Sequence, residues 1–314
     1  MNTLLLWGFS VLAAIFLFLH GLEAFSDEVT RLGGERLRHA LARITRSDWR
    51  AALVGGLVTA VVQSSSAVTS MVVGLAHKRT LSARAAVGLI VGANVGTTLT
   101  AWLVAYKLEG LGPIFVTLGG AWSLLAPRPW RAYGKGIFYF GLIFLALDLV
   151  AQSLAPLAHS PQIGAWQPLL QSPGLALLFG TLLTAFVQSS SVVSGLAVVA
   201  ASQRVVDPAV AVWMVAGANL GTTSTALLAS ASLGPLARRL ASFNAAFNGF
   251  GVLLFATVLQ PLIGAVLASS LTPAQQVAMV HTVFNLCAAL AALLALPWIW
   301  PRLQALLLRE PQTG

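Results

Sequence analysis

Two short polar runs interrupt an otherwise apolar chain: QSSS at Gln63, Ser64, Ser65 and Ser66, and QSSS again at Gln188, Ser189, Ser190 and Ser191. A second pair, GANVGTT from Gly92 and GANLGTT from Gly217, supplies Asn94, Thr97 and Thr98 and then Asn219, Thr222 and Thr223. Serine hydroxyls and a glutamine NH2 donate to an oxyanion, whereas Asn, Thr and backbone carbonyl oxygens are hard ligands suited to sodium. No Lys or Arg lies in any of the four motifs. An anion held there must be neutralised by co-bound cations, which is a chemical reason for symport. A hydrolase reading is poor, because no His or carboxylate adjoins either serine run and a doubled nucleophile has no mechanistic use. One isolated serine run would be ordinary glue between membrane helices. Two motifs, each duplicated in register, call for more than that.

The elements around these motifs belong to a membrane. Of 314 residues, 57% are hydrophobic and 9% charged, with a mean hydropathy of +0.84, well outside the range of soluble domains. Burying a polar group without a partner costs roughly 2 to 7 kcal/mol, so the polar runs need mutual pairing or a ligand. The net charge of +9 sits in short basic blocks between apolar spans, the pattern of membrane topology rather than of nucleic-acid binding. Cys287 is the single cysteine, so neither an internal disulfide nor a multi-cysteine metal cluster can form. The apolar start of the chain lacks a basic n-region and a cleavage site and is expected to stay as a membrane helix.

Sliding the sequence against itself gives a gapless match at an offset of 125 residues, which also places Glu23 on Asp148. Residues 1–125 form a first copy, 126–250 a second, and 251–314 a C-terminal extension. Each copy reads as a long helix, a linker, two apolar arms meeting at QSSS, a stretch broken at GANxGTT, and a final helix. The arms, such as 51–62 and 67–76, reach about 15 to 18 Å, half a bilayer, so re-entrant hairpins are expected. The motif glycines are expected to take unusual backbone angles and allow close approach. The fold class is therefore an all-α polytopic membrane protein. Three crossings per copy imply that the second copy is inverted, giving about seven crossings with the N-terminus outside and the C-terminus cytoplasmic. Charge supports this: 16 of the 18 basic residues fall on the cytoplasmic side, with Lys107 and Arg204 excepted. Segment 27–50 carries six arginines and its counterpart 152–175 none; the former is expected to lie along the headgroups. Inverted broken segments meeting near the midplane are the construction of secondary transporters.

At these residues the chain resembles the bacterial sodium-phosphate cotransporter family, related to the type II transporters of animals. The resemblance rests on the paired QSSS and GANxGTT motifs, on AAFN ending at Asn248, and on HTVFN from His281 to Asn285. It implies sodium-driven uptake of inorganic phosphate across the cell membrane, with no organic cofactor. The QSSS tips would hold phosphate, and Thr222 and Thr225 sodium. Three departures stand out. About a dozen residues follow Pro301, where some members carry a cytosolic domain; one cysteine cannot make the outer-loop disulfide of animal members; and Glu109 is the only acid near the first broken stretch. Supporting roles fall to Glu23 and Asp148 near helix ends, as structural acids or else as proton or cation sites, to His281 bonding a neighbouring helix or else moving protons, and to Asn248 and Asn285 bracing helix pairs. The expected partners are phosphate, sodium and the bilayer, without nucleic acid; an oligomeric partner is left open. The alternatives are a symporter for another small oxyanion or carboxylate, and a non-transporting scaffold in phosphate signalling.

Overall fold

The computed structural model describes residues 3–42, 47–106, 110–156 and 172–308, and among them all regular structure is helical. Lys107, Glu109, Arg43, Arg46, Arg309 and most of the 152–175 linker lie outside the described residues.

The first helix, α1 (Thr3–Ala42), runs well past its apolar part. No proline or glycine pair interrupts it before Gly33 and Gly34, and only Gly34, at φ 27 and ψ −111, bends it. This corrects the expected separate linker, since 27–33 simply continue α1. Beyond it come α2 (Asp48–Val62), α3 (Ser65–His77), α4 (Ala83–Gly96), α5 (Thr98–Ala105), α6 (Leu111–Leu125) and α7 (Arg131–Leu154). The second series is α8 (Pro173–Val187), α9 (Ser190–Ser202), α10 (Pro208–Gly221), α11 (Thr223–Ala231) and α12 (Pro235–Ala256), with α13 (Gln260–Leu267) and α14 (Pro273–Leu307) closing the chain. The starts of α2 to α5 recur 125 residues later in α8 to α11. The backbone follows suit: Gln63 stands at φ 60, ψ 19 and Gln188 at φ 62, ψ 19, and Arg79 and Arg204 at φ 56 and 57.

Among the described residues, four helices are long and apolar enough to cross a membrane, or five if α12 and α13, bent by 67°, count together. The expected seven crossings are not reached on length alone; α6, at 15 residues, extends about 22 Å, less than the hydrocarbon core. Leu53, Leu57, Val61, Phe16 and Trp298 stand exposed, as side chains facing lipid should.

The GANxGTT stretches differ from expectation in two ways. Thr97 (φ −61, ψ −26) and Thr222 (φ −62, ψ −19) keep near-helical angles, so each motif is a pinch rather than an unwound break. There the amide of Thr100 bonds the Thr97 carbonyl at 3.2 Å and that of Thr225 the Thr222 carbonyl at 3.3 Å, one residue short of the α pattern. Nor do the motif glycines take left-handed angles; they admit a neighbouring backbone. A Cβ on Gly92 would lie 1.8 Å from the Ala52 carbonyl oxygen, and one on Gly217 2.0 Å from that of Leu177. A Cβ on Gly96 would lie 2.3 Å from the Gly56 carbonyl oxygen, and one on Gly221 2.3 Å from that of Thr181. Small residues at i and i+4 thus let α4 and α10 press backbone to backbone on α2 and α8.

Packing then crosses between copies. The second halves of the pinched helices, α5 and α11, lie against α9 and α3, the serine helices of the opposite copy. In one respect the copies differ: Arg84 grips Asp48 through two hydrogen bonds of 2.9 and 2.8 Å beneath Trp300, whereas Pro173 and Ala209 occupy the corresponding positions.

Candidate functional site

Each QSSS run turns the chain between two helices. Gln63 and Gln188 cap α2 and α8 in the left-handed region, their amides bonding the Thr59 and Thr184 carbonyls at 2.7 Å. That conformation costs a non-glycine residue about 1 to 2 kcal/mol, and glycine is the usual occupant. Glutamine in both copies means the side chain is kept at a cost in backbone strain. The serines then open α3 and α9, where Ser64 Oγ accepts from the Ala67 amide at 3.2 Å. Ser65, Ser190 and Ser191 are buried in the first turns.

The two turns meet. Ser191 Oγ donates to the Gln63 carbonyl at 3.2 Å, Thr100 Oγ1 donates to Gln63 Oε1 at 2.8 Å, and Ser66 Oγ pairs with Thr222 Oγ1 at 3.0 Å. Residues up to 156 positions apart are thereby joined. Between the turns lies a cavity of about 280 Å³ lined by Gln63 and Ser64, by Gln188 and Ser189, and by Glu23, Ser26 and Asp27 of α1, with Leu22 and Ala67. Its size is at the lower end of ligand pockets and suits a small ion better than an organic molecule. Its walls carry two acids and no base. An anion entering here meets like charge unless cations come with it.

Ser65, Ser66, Thr69, Asn94, Thr222 and Asn244, with Ala226, line a second, polar nook too tight for a water. It draws hydroxyl and amide oxygens from both copies. Beside it Thr225 Oγ1 is buried with no hydrogen-bond partner among the described residues. A hydroxyl oxygen left so is either an uncompensated cost or an offered ligand.

The other expected site residues divide. Thr97 and Thr223 spend their hydroxyls on the Ala93 and Leu220 carbonyls of their own helices. Thr98 bonds the Val95 carbonyl and lines an apolar groove with Leu99 and Trp102, away from the cavity. Asn219 Nδ2 donates to Asn285 Oδ1 at 2.7 Å, tying α10 to α14, and Asn248 Nδ2 bonds Asn244 one turn earlier in α12. Asp148 is half-buried on α7 and is not among the cavity's lining residues. The cross-helix bond expected of His281 is not found: the ring is buried, with no hydrogen-bond partner for either nitrogen among the described residues.

Sequence reasoning missed Ser26, Thr69, Thr100 and Asn244, and Asp27, which it had placed in the linker. Ser26 and Asp27 carried a signal, since Glu23, Ser26 and Asp27 stand at i, i+3 and i+4 and must share a helix face. Thr100 was also signalled, being the counterpart of Thr225 at the repeat offset.

Two series of matching helices that close on a polar cavity inside an apolar shell are the kind of construction found in membrane transporters. A family model described as Na+/Pi-cotransporter matches residues 17–152 and again 149–272. The chain belongs to this family. It is 30% identical to the uncharacterized protein YqeW of Bacillus subtilis over 90% of this chain and 92% of that one. It is 29% identical to the putative inorganic phosphate export protein YjbB of Salmonella typhimurium over 90% of its own length, spanning about half (52%) of that protein. With the human sodium-dependent phosphate transport protein 2B it shares 35% identity over 102 residues, 32% of this chain and 15% of the other. No solved structure matches the chain.

Proposed function

We propose that the chain carries inorganic phosphate across the cell membrane in symport with sodium, by alternating access to one site formed by both QSSS turns. The observation that carries this reading is the shared cavity, in which Gln63 and Ser64 face Gln188 and Ser189 beside two acids. Amide and hydroxyl hydrogens supply donors to the phosphate oxygens, without the fixed positive charge that would hold the ion too firmly to release it. Sodium ions supply the neutralisation. The nook at Asn94 and Thr222, with the unpartnered Thr225 hydroxyl, offers hard oxygens for one of them, and Glu23 and Asp27 offer carboxylates at the cavity wall. The names of the animal relatives support sodium dependence, and those of the enteric relatives support phosphate as cargo.

The export named in those enteric relatives favours a second reading, in which the same site works with net flux outward. One experiment tests both: labelled phosphate is followed in liposomes holding only this protein, with sodium gradients imposed in either direction. Flux that follows the sodium gradient supports symport. Phosphate flux indifferent to sodium would overturn the coupling, and no flux would return the chain to the scaffold reading.

Alternating access of this kind needs the second copy inverted, with re-entrant hairpins and about seven crossings. The arginines of α1 and the crossing of α5 and α11 onto opposite serine helices support that arrangement. In a Cys287→Ser background, a cysteine placed in 35–42 is expected to react only with reagents that reach the cytoplasm. One placed in 268–272, before α14, is expected to react only with external reagents. Labelling from the same face would remove the inverted topology.

A further inference from the structure

The two glutamines occupy matching backbone positions, but their side chains are held differently. Gln63 Nε2 donates to the Ala60 carbonyl, and Gln63 Oε1 accepts from Thr100 Oγ1 at 2.8 Å. A carbonyl can only accept, so Ala60 fixes which end of the amide is nitrogen, and the Thr100 hydroxyl occupies the oxygen end. Gln188 Nε2 likewise meets the Ala185 carbonyl, but its second contact is a long one, 3.4 Å to Ser224 Oγ. Thr225, the counterpart of Thr100, does not reach Gln188, and its hydroxyl has no hydrogen-bond partner among the described residues. The sequence breaks symmetry at the same spot: Ser224 corresponds to Leu99, which turns into the apolar groove. Thr100 also lies 3.4 Å from Ser191 Oγ, which in turn donates to the Gln63 carbonyl. One buried threonine therefore touches the glutamine of its own copy and a serine of the other.

We propose that Thr100 is a positioning residue for phosphate, fixing the Gln63 amide so that its oxygen is turned away from the anion and its remaining N–H is presented to it. The inference rests on the QSSS cavity being the phosphate site. The Ala60 carbonyl sets the nitrogen end; without the Thr100 bond the oxygen end is unheld, and the amide would swing about its single remaining contact and carry its free N–H off the anion for part of the time. In this arrangement the first turn is the preset half of the cradle and the second the adaptable half.

The test measures the phosphate dependence of uptake at saturating sodium. Thr100→Val removes the hydroxyl at nearly constant volume, and the half-saturating phosphate concentration should rise roughly 3- to 10-fold, approaching the loss of one donor to a charged ligand. The maximal rate should change little. Thr100→Ser restores the hydroxyl and should return the constant to near its original value. In a Gln63→Ala background, Thr100→Val should have no further effect, because it acts through that side chain. Three outcomes would overturn the inference: an unchanged phosphate constant in Thr100→Val, Thr100→Ser behaving like the valine, or full additivity with Gln63→Ala. A valine variant that fails to insert leaves the decision to Thr100→Ala measured against Thr100→Ser. If the unaltered protein neither binds nor moves phosphate, the reading of the cavity fails instead, and the two failures are told apart by that control.

Discussion

Gln63→Ala and Gln188→Ala are each expected to weaken phosphate binding about 10-fold or more, the effect of removing one donor from a charged ligand, about 1.5 to 3 kcal/mol. Both side chains face one cavity although they lie 125 residues apart. Residues sharing a ligand couple rather than add, by roughly 0.5 to 3 kcal/mol, so the double variant should fall short of or exceed the sum of the two losses. The preset hold on Gln63 makes its removal the costlier of the pair. Calorimetry with sodium present should find one phosphate per chain. Two phosphates per chain and strictly additive losses would mean two sites, and the meeting of the turns would then be packing alone. Stability offers an internal check. Each glutamine sits at φ near 60°, so truncation to glycine relieves backbone strain of about 1 to 2 kcal/mol while removing the donor. Gln63→Gly and Gln188→Gly should therefore keep near-normal melting temperatures yet bind phosphate as poorly as the alanine variants.

Gly92→Ala is expected to damage the fold outright. The added Cβ would stand 1.8 Å from the Ala52 carbonyl oxygen and 2.5 Å from its carbon, atoms of a helix backbone that cannot rotate away. Overpacking of this kind costs typically 1 to 3 kcal/mol and more where neither partner yields. Thermal melting in detergent should fall by several degrees, with Gly217→Ala, 2.0 Å from the Leu177 oxygen, close behind. Gly74→Ala is the control: its Cβ would meet nothing within 4 Å, and alanine is the better helix former. Equal melting of all three variants would remove the close-packed account of the motif glycines.

Much of this was legible in the sequence because the repeat is gapless. The offset placed QSSS on QSSS and glycine on glycine, and composition placed both in a membrane, so helix class, duplication and the polar turns followed. Motif chemistry had less reach within GANxGTT. It could not tell that Thr98 and Thr223 would turn onto their own helix carbonyls while Thr222 turned to Ser66, because adjacent hydroxyls on a helix point in different directions and only the packed neighbours decide which is used. The glycines misled for a related reason. Glycine signals either unusual dihedrals or close approach, and the chain partner that chooses between them, α2 or α8, is remote from any local pattern. Asp27 was missed because its charge suggested the headgroup region, although α1 continues unbroken through it and carries it to the cavity wall.

The crossing of α5 onto α9 and of α11 onto α3 also bears on how the protein is made. As the chain leaves the ribosome, the first copy is complete in sequence long before the helix that seats α5 exists. Until residues beyond Ser190 have been inserted, the Thr100 hydroxyl and the Gln63 main-chain carbonyl lack Ser191, and α3 lacks the Thr222 that Ser66 will bond. Neither half can finish folding alone, so a nascent first half must be held in the bilayer, open and wet at its turn, until its twin arrives.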